Sequence, residues 1–543
     1  MGDTNEQGPQ LPFTWEELNA CVKVVARVSD HEALLAAPWL RDLRKALAPL
    51  VARLEKQKYG GMGRQRSLEL SAHRDLKHAI KEKMRRRDQL AQAQCRLRSE
   101  RVENMTRLLQ AEQTAAFHQT AGTQLLIPDG VVRDDLERKE ITSTNITTPE
   151  LEHPRQYYMC RRSYARLHHF YHALCRECAA FNFTQRHQTA TLTGKCALIT
   201  GTRVKVGFHT TLKLLLAGAT VVATTRFPHD ALGRFTKEPQ YEQFRDRLHI
   251  VGVDFRDLAH LHAFLDHLTT RFPPFDIIVH NACQTIRRPP QYYRHLVDEE
   301  IRASSSQAQQ APELEHHAAV ATIACRLPTR DALTNAAEVK PTVQSALLSQ
   351  LPLLPSDIED SVTDGFFPRQ LRDINDQQID LRTKNSWLLR LGEVETPELA
   401  EVMAVNTMAP FIINNKLLPL MKSNPMRSTK RFVIHVSAME GKFYRQKKPT
   451  HPHTNMAKAA LNMMTRTCAA ELSAQGVFMN SVDTGWINDE NPVHVAARAA
   501  SSMGFQTPLD EIDAAARVLD PVFSAELRPT LRLLHQRLPA DRL

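Results

Sequence analysis

Six apolar runs separated by amphipathic stretches organise residues 196–487. The first, CALI at 196–199, is small and branched, as a strand buried on both faces requires. Thr200-Gly201 breaks it, and Gly207 opens FHTTLKLLLAG, whose apolar residues recur at helical spacing up to Gly218. The runs ATVVATTR, LHIVGVD, FDIIVHNA, RFVIHVSAMEG and VFMNSVDTGWI read as five further strands. They run out near Arg226, Asp254, Asn281-Ala282, Ser437 and Thr484-Gly485. A strand, a glycine turn and a helix N-terminus in that order make an anion site, because backbone N–H groups point outward and the helix dipole favours a phosphate. The second branched run completes a βαβ unit, so the pattern predicts an α/β fold with a parallel sheet and a dinucleotide ligand.

The flanks have other periods. TWEELNACVKVVARV and HEALLAAPWLRDLRKALAPLVARLEK carry apolar residues at three-to-four spacing and read as helices within a helical region at 1–117. Residues 73–110 form a basic helical stretch with Lys77, Lys81, Lys83, Arg85, Arg86, Arg87, Arg96, Arg98 and Arg101. It reads either as a solvated helix face or as a surface for nucleic acid or another acidic partner. No aromatic residues interleave with the charges, so base stacking has no support. Residues 118–153, rich in Thr, Asp, Glu and Pro, read as a linker, and 526–543 as a tail. Residues 298–392 carry ASSSQAQQAPELEHH and LPLLPSDIEDSVTDG and are expected to be an irregular surface insertion.

Length and charge add little. The 543 residues imply several domains, and 70 Lys+Arg against 60 Asp+Glu give a modest excess of +10. No run approaches the length of a membrane span, so no membrane partner is expected. The polar, acidic start MGDTNEQGPQ is unlike a presequence, and nine scattered cysteines suit a reducing compartment, which together predict a cytoplasmic location.

Taken in order, these motifs resemble the short-chain dehydrogenase/reductase superfamily over roughly 192–295 and 393–525, within a Rossmann-type domain expected at 192–525. The resemblance implies an oxidoreductase that binds a nicotinamide dinucleotide. Its cofactor positions fall here on Thr200, Gly201, Arg203, Lys205, Gly207, Arg226, Asp254, Asn281, Ala282, Lys458, Thr484 and Gly485. Lys205 stands where the family has its middle glycine. Thr225-Arg226 replaces the acid that holds an NAD ribose, and an arginine there suits a 2′-phosphate, so NADP is preferred over NAD.

The catalytic set implied by the resemblance is incomplete. Asn406 matches the family's helix asparagine and Lys458 its lysine, but Thr454 stands where the tyrosine belongs. Ser437 is one residue out of register, which leaves Ala438 in the active position. A threonine hydroxyl has too high a pKa to replace a lysine-tuned phenol. Tyr444 and His453, the latter with His451 in the HPH segment, are the groups that would supply a proton instead.

A last cluster lies in 154–188. Cys175 and Cys178 form a C-x-x-C pair and Cys160 lies fifteen residues earlier, spacing that suits a zinc site completed by His168, His169 or His172. The segment resembles a cysteine knuckle that precedes the reductase domain in some large members, where two C-x-x-C pairs are usual; Ser163 breaks the second pair here. The alternative is a former ribbon held by its aromatic residues. Three functional readings therefore stand: an NADP-dependent oxidoreductase with a non-standard active site and an unidentified small-molecule substrate, a nucleotide-binding scaffold without catalysis, and a nucleic-acid binder acting through the basic stretch. Oligomeric state is left open.

Overall fold

The computed structural model describes residues 12–31, 37–59, 64–101, 103, 149–157, 159–305, 314–315, 345–359, 366–368, 372–373, 375–422, 430–488, 490–492, 495–496 and 506–527. The chain divides into two units, Met1–Arg87 and Asp88–Leu543. In the first, α1 (Trp15–Ser29) starts at a capping box: the Thr14 side chain accepts from the Glu17 amide and the Glu17 carboxylate accepts from the Thr14 amide. It is followed by α2 (Arg41–Tyr59) and α3 (Arg64–Ala93), the latter running across the boundary between the units.

The basic stretch 73–110 is not one continuous helix. It turns at Gln94-Cys95, where Cys95 is fully buried, and resumes at Arg96. Beyond that turn the charges face inward: Arg98 is buried, and Arg101 donates to the Thr507 and Leu509 carbonyls. Among the described residues of the stretch, it is the part on α3, Lys77 to Arg87, that presents its cations on an exposed face. Residues 104–110 lie outside the described residues.

In the second unit, β1 (Glu150–Gln156) and β2 (Ser163–Arg166) pair as an antiparallel hairpin, so the end of the stretch read as linker is strand. Residues 118–148 of that stretch and 528–543 of the tail lie outside the described residues. Helix α4 (Arg176–Arg186) follows. Its Arg186 pairs with Asp510 at 2.7 Å and Asp513 at 3.2 Å, which joins this module to the last helix, α12 (Glu511–Leu527).

The remainder is a Rossmann-type sheet. All six strands expected from the apolar runs form: β3 (Cys196–Thr200), β4 (Thr220–Thr225), β5 (Leu248–Gly252), β6 (Ile277–His280), β8 (Arg431–Ser437) and β9 (Val477–Asp483). A two-residue edge strand, β7 (Leu314–Glu315), pairs with β5. The order is β7-β5-β4-β3-β6-β8-β9 with every pairing parallel, so the chain reverses direction across the sheet between β3 and β6. That reversal opens a crevice at the carboxyl ends of those strands, where ligands of such sheets bind.

Strand alternation divides the core. Ala197, Ile199, Val221 and Ala223 face α5 (Lys205–Leu216) and α12. Cys196, Leu198 and Val222 face α7 (Leu258–Arg271), α10 (Ala409–Lys422) and α11 (Pro452–Ala474). With both faces covered the strands must be apolar throughout, which is why they read as continuous runs. No helix among the described residues is long and apolar enough to cross a membrane.

The stretch expected to be an irregular surface insertion contributes to the interior. Its first part continues α8 (Pro290–Ser305), while Ala346 and Phe367 are buried. Asp357 makes a two-pronged pair with Arg287 at 2.6 and 2.7 Å, and Arg287 also reaches Glu401 on α9 (Thr396–Met403) at 3.1 Å. Burial opposes the charge on Asp357, but the Arg287 and backbone hydrogen bonds hold its carboxyl below the usual range. Arg287 is thus a structural ion-pair partner. Removing it leaves buried carboxylates without their counter-ion, so Arg287→Met is expected to lower stability by about 3–5 kcal/mol in urea unfolding. A loss below about 1 kcal/mol would show that this segment does not depend on the pair.

Candidate functional site

The turn after β3 is set by close approach. Gly201 has φ +72°, and a Cβ there would lie 2.8 Å from the Ala282 backbone. At Gly207 a Cβ would come within 1.9 Å of the Gly201 carbonyl oxygen, so the first turn of α5 can sit on the strand end only without a side chain. The Thr200 hydroxyl accepts from the Asn281 and Ala282 amides at 3.0 Å, and the Asn281 side chain donates to the Gly201 carbonyl at 2.8 Å. Thr200 is therefore a brace beneath the turn, while Asn281 both braces it and lines the cavity above it. Lys205 takes φ +54°, the left-handed conformation the absent glycine would adopt freely, at a cost of about 1–2 kcal/mol.

Above this turn lies a cavity of about 670 Å³, within the range of small-molecule and cofactor sites. Of the residues expected to bind a dinucleotide, Gly201, Arg203, Lys205, Gly207, Arg226, Asp254, Asn281, Ala282, Lys458, Thr484 and Gly485 line it; Thr200 does not. Eight basic side chains line it against four acidic ones. Two expected contacts are already engaged. Arg203 pairs with Asp230 at 2.9 Å, and Asp254 is clamped by Arg256 at 2.7 Å. Burial disfavours the Asp254 charge, yet Arg256 outweighs it and keeps the carboxyl below its usual range. Arg226 lies over the Tyr293 ring at 4.6 Å. Burial pushes the Tyr293 phenol up, but Arg226 and Arg288 reverse that and bring it below its usual range. The Thr484-Gly485 turn is held by the Asp483 carboxylate, which accepts from the Gly485 amide, and by Arg517, which donates to the Thr484 carbonyl.

The expected catalytic residues separate into two groups. Ser437, Thr454 and Lys458 line the cavity. The Ser437 and Thr454 hydroxyls are buried without a hydrogen-bond partner, and the buried Lys458 ammonium donates to the Val436 carbonyl at 2.7 Å. Asn406, Tyr444 and His453 do not line it. Asn406 sits in a π-helical turn, Ala404–Met408, and its amide clamps the Gln284 backbone, accepting from its N–H at 2.7 Å and donating to its carbonyl at 3.1 Å. It positions the 281–288 loop. Tyr444 is exposed, with Arg445 over its ring. His453 is buried 3.5 Å from Glu398, because the first turn of α11 directs it toward α9.

The histidine that does line the cavity is His451. It caps the N-terminus of α11 in the left-handed conformation, φ +46°, and stacks on Trp387 with ring centroids 3.8 Å apart. Its Nδ1 lies 2.9 Å from the Trp387 carbonyl. A carbonyl only accepts, so Nδ1 carries the proton and Nε2 is the basic nitrogen. Burial lowers its pKa, which keeps the ring neutral near pH 7. The HPH segment could point to either histidine; only the position of the helix start separates them. Trp387 and Arg256 were not anticipated, although Arg256 stands two residues after Asp254.

The three cysteines do come together: the Sγ atoms of Cys160, Cys175 and Cys178 lie within 4.8 Å of one another. None of the three histidines proposed to complete them joins the group among the described residues. The His168 Nδ1 instead accepts from the Phe170 amide, and His172 is buried beside Arg98 and Arg101, away from the thiols.

The sheet order and its crevice define a doubly wound, Rossmann-type α/β class of protein. Two family models match: short chain dehydrogenase over residues 195–305 and Enoyl-(Acyl carrier protein) reductase over 386–517. Uncharacterized protein R665 of Acanthamoeba polyphaga mimivirus is 30% identical over 382 residues, 68% of this chain and 71% of that protein. Among solved structures, a short-chain dehydrogenase from Streptomyces avermitilis is 15% identical, covers 63% of this chain and 85% of its own, and has a TM-score of 0.36. The Pseudomonas aeruginosa RhlG/NADP active-site complex is 17% identical, with 61% and 91% covered and a TM-score of 0.36. The chain belongs to the short-chain dehydrogenase/reductase superfamily.

The cradle yields a direct expectation. Gly207→Ala forces a methyl group against the Gly201 carbonyl, so it should lower stability by about 1–3 kcal/mol in thermal or urea unfolding. An unchanged unfolding midpoint would mean that α5 can lift from the strand end at no cost.

Proposed function

We propose that this short-chain dehydrogenase/reductase is an oxidoreductase whose cavity binds NADP in preference to NAD. The excess of basic over acidic side chains around the cavity carries the reading, since it suits a ligand with three phosphate groups. The residues present fit such a group: glycines 201 and 207 let the first turn of α5 sit tightly on the strand end beside the cavity, and the Ser437 and Thr454 hydroxyls are buried without partners. The diphosphate belongs at the turn with Lys205, the 2′-phosphate beside Arg226, and the nicotinamide end near Lys458 and the Thr484-Gly485 turn. When bound, the dinucleotide supplies or accepts a hydride.

No phenol stands at position 454, so proton exchange with a substrate hydroxyl is assigned to His451. It accepts the hydroxyl proton at Nε2 while Trp387 holds Nδ1. Ser437 and Thr454 offer hydroxyls that orient the substrate oxygen. A second reading, binding without hydride transfer, is favoured by one observation: Thr454 and Ala438 occupy the positions where the superfamily keeps its tyrosine and serine.

Titration followed by nicotinamide fluorescence tests the binding. NADPH should bind more tightly than NADH; Arg226→Ala should weaken NADPH about tenfold to a hundredfold and leave NADH unchanged. Lys458→Ala should weaken both. Failure of either dinucleotide to bind at roughly millimolar concentration would remove the proposal.

Turnover of a panel of secondary alcohols tests the chemistry. Because the lowered His451 pKa leaves the ring unprotonated near neutrality, oxidation should be flat there and fall only on acidification below the ordinary histidine range. His451→Gln should abolish that acid limb and slow kcat by about 10²–10⁴ while NADPH still binds. Bound NADPH with no turnover across the panel would favour the second reading.

A further inference from the structure

We propose that Cys160, Cys175 and Cys178 hold a zinc ion through three thiolates and an exchangeable fourth ligand, and that this ion ties the 157–162 turn to the wall of the dinucleotide cavity. The site is assembled from two separate segments. Cys160 lies in the turn between β1 and β2, where the Tyr157 amide donates to the Arg162 carbonyl and the Arg161 amide donates to the Tyr157 carbonyl. Arg161 accepts φ +61° to close that turn, which directs the preceding cysteine out of the hairpin toward α4. Cys175 is the N-cap of α4 and Cys178 lies in its first turn, so one helical turn brings both thiols to the same end of the helix.

The separations match a tetrahedral ion. Thiolates at a Zn–S distance of about 2.3 Å stand roughly 3.8 Å apart; Cys160 and Cys175 sulfurs are 3.5 Å apart and all three pairs fall within 4.8 Å. All three are free thiols. An ion pair between Arg162 and Glu177 bridges the same two segments beside them. A thiolate set selects zinc over the oxygen-preferring divalent ions. No histidine, aspartate or glutamate joins the three sulfurs among the described residues, so the fourth position falls to water or a small ligand. Cys160 and Cys178 are only partly buried, which leaves that position reachable from solvent.

The second half of the proposal rests on the cavity binding a dinucleotide. Met159, next to Cys160, lines the cavity, and Ile487 lines it while packing on the aromatic cluster around Cys175. The ion therefore fixes one wall of the cavity from outside.

Metal analysis of the full chain, purified under reducing conditions, should find about one equivalent of zinc. Cobalt(II) substituted for it should give a thiolate charge-transfer band whose intensity counts three sulfurs. Cys160→Ser and Cys178→Ser should each lose the zinc, whereas Cys468→Ser, on α11, should keep it. A folded wild-type chain that carries no zinc and takes up no cobalt overturns the site, as does zinc retained in both serine variants. If zinc is present, its removal by chelator should weaken NADPH on the order of tenfold. Unchanged NADPH affinity after removal overturns the coupling alone. Absence of NADPH binding to the zinc-loaded protein counts against the dinucleotide reading, with the metal result standing by itself.

Discussion

The contact between Gly207 and the Gly201 carbonyl is the constraint on which the site depends. A helix can begin this close to the end of a buried strand only if its own residue at the contact carries no Cβ. Its proximity puts the unpaired amides of the first turn over the crevice between β3 and β6. The brace from Thr200 and Asn281 then holds the second crevice wall to the same turn. Lys205 tolerates a costly backbone conformation within this frame because the residues on either side leave the turn no other course. Lys205 thus adds a cation to the cavity lining from a backbone conformation that a glycine takes freely.

Around that frame the cavity is organised by paired arginines. Arg203, Arg256 and Arg288 each engage a carboxylate, while Arg226 lies over an aromatic ring. Fixing the guanidinium groups in the free protein lowers the ordering cost of binding an anion. The pairing also explains how so many cations can crowd one crevice: several partners are acids drawn from distant elements.

Local signals and long-range ones differ in how far they could be read. The six strands, the glycine turn and Lys458 were legible because each depends on neighbours a few positions away in the chain. The interior role of 345–392 was not, since it comes from Arg287 meeting Asp357 seventy positions later, a pairing that leaves no periodic trace. The two histidines of the HPH segment were visible, yet which one reaches the cavity turns on where α11 begins. Asn406 stands out in the sequence as well, but its amide is spent on the Gln284 backbone. The cysteines lay at the right spacing, and the fold keeps the expected histidines from them.

The stacking of Trp387 on His451 has a wider consequence. The glycine turn belongs to the first family match, at the strand-helix junction, whereas Trp387, which clamps His451, stands at the start of the second match, beyond the stretch 306–385 that separates the two. Under the proposed function, proton exchange at His451 and the nucleotide turn are therefore written in separate stretches of sequence. Change around Trp387 would then retune the proposed proton exchange without touching the glycine turn, so the two properties are free to drift at different speeds.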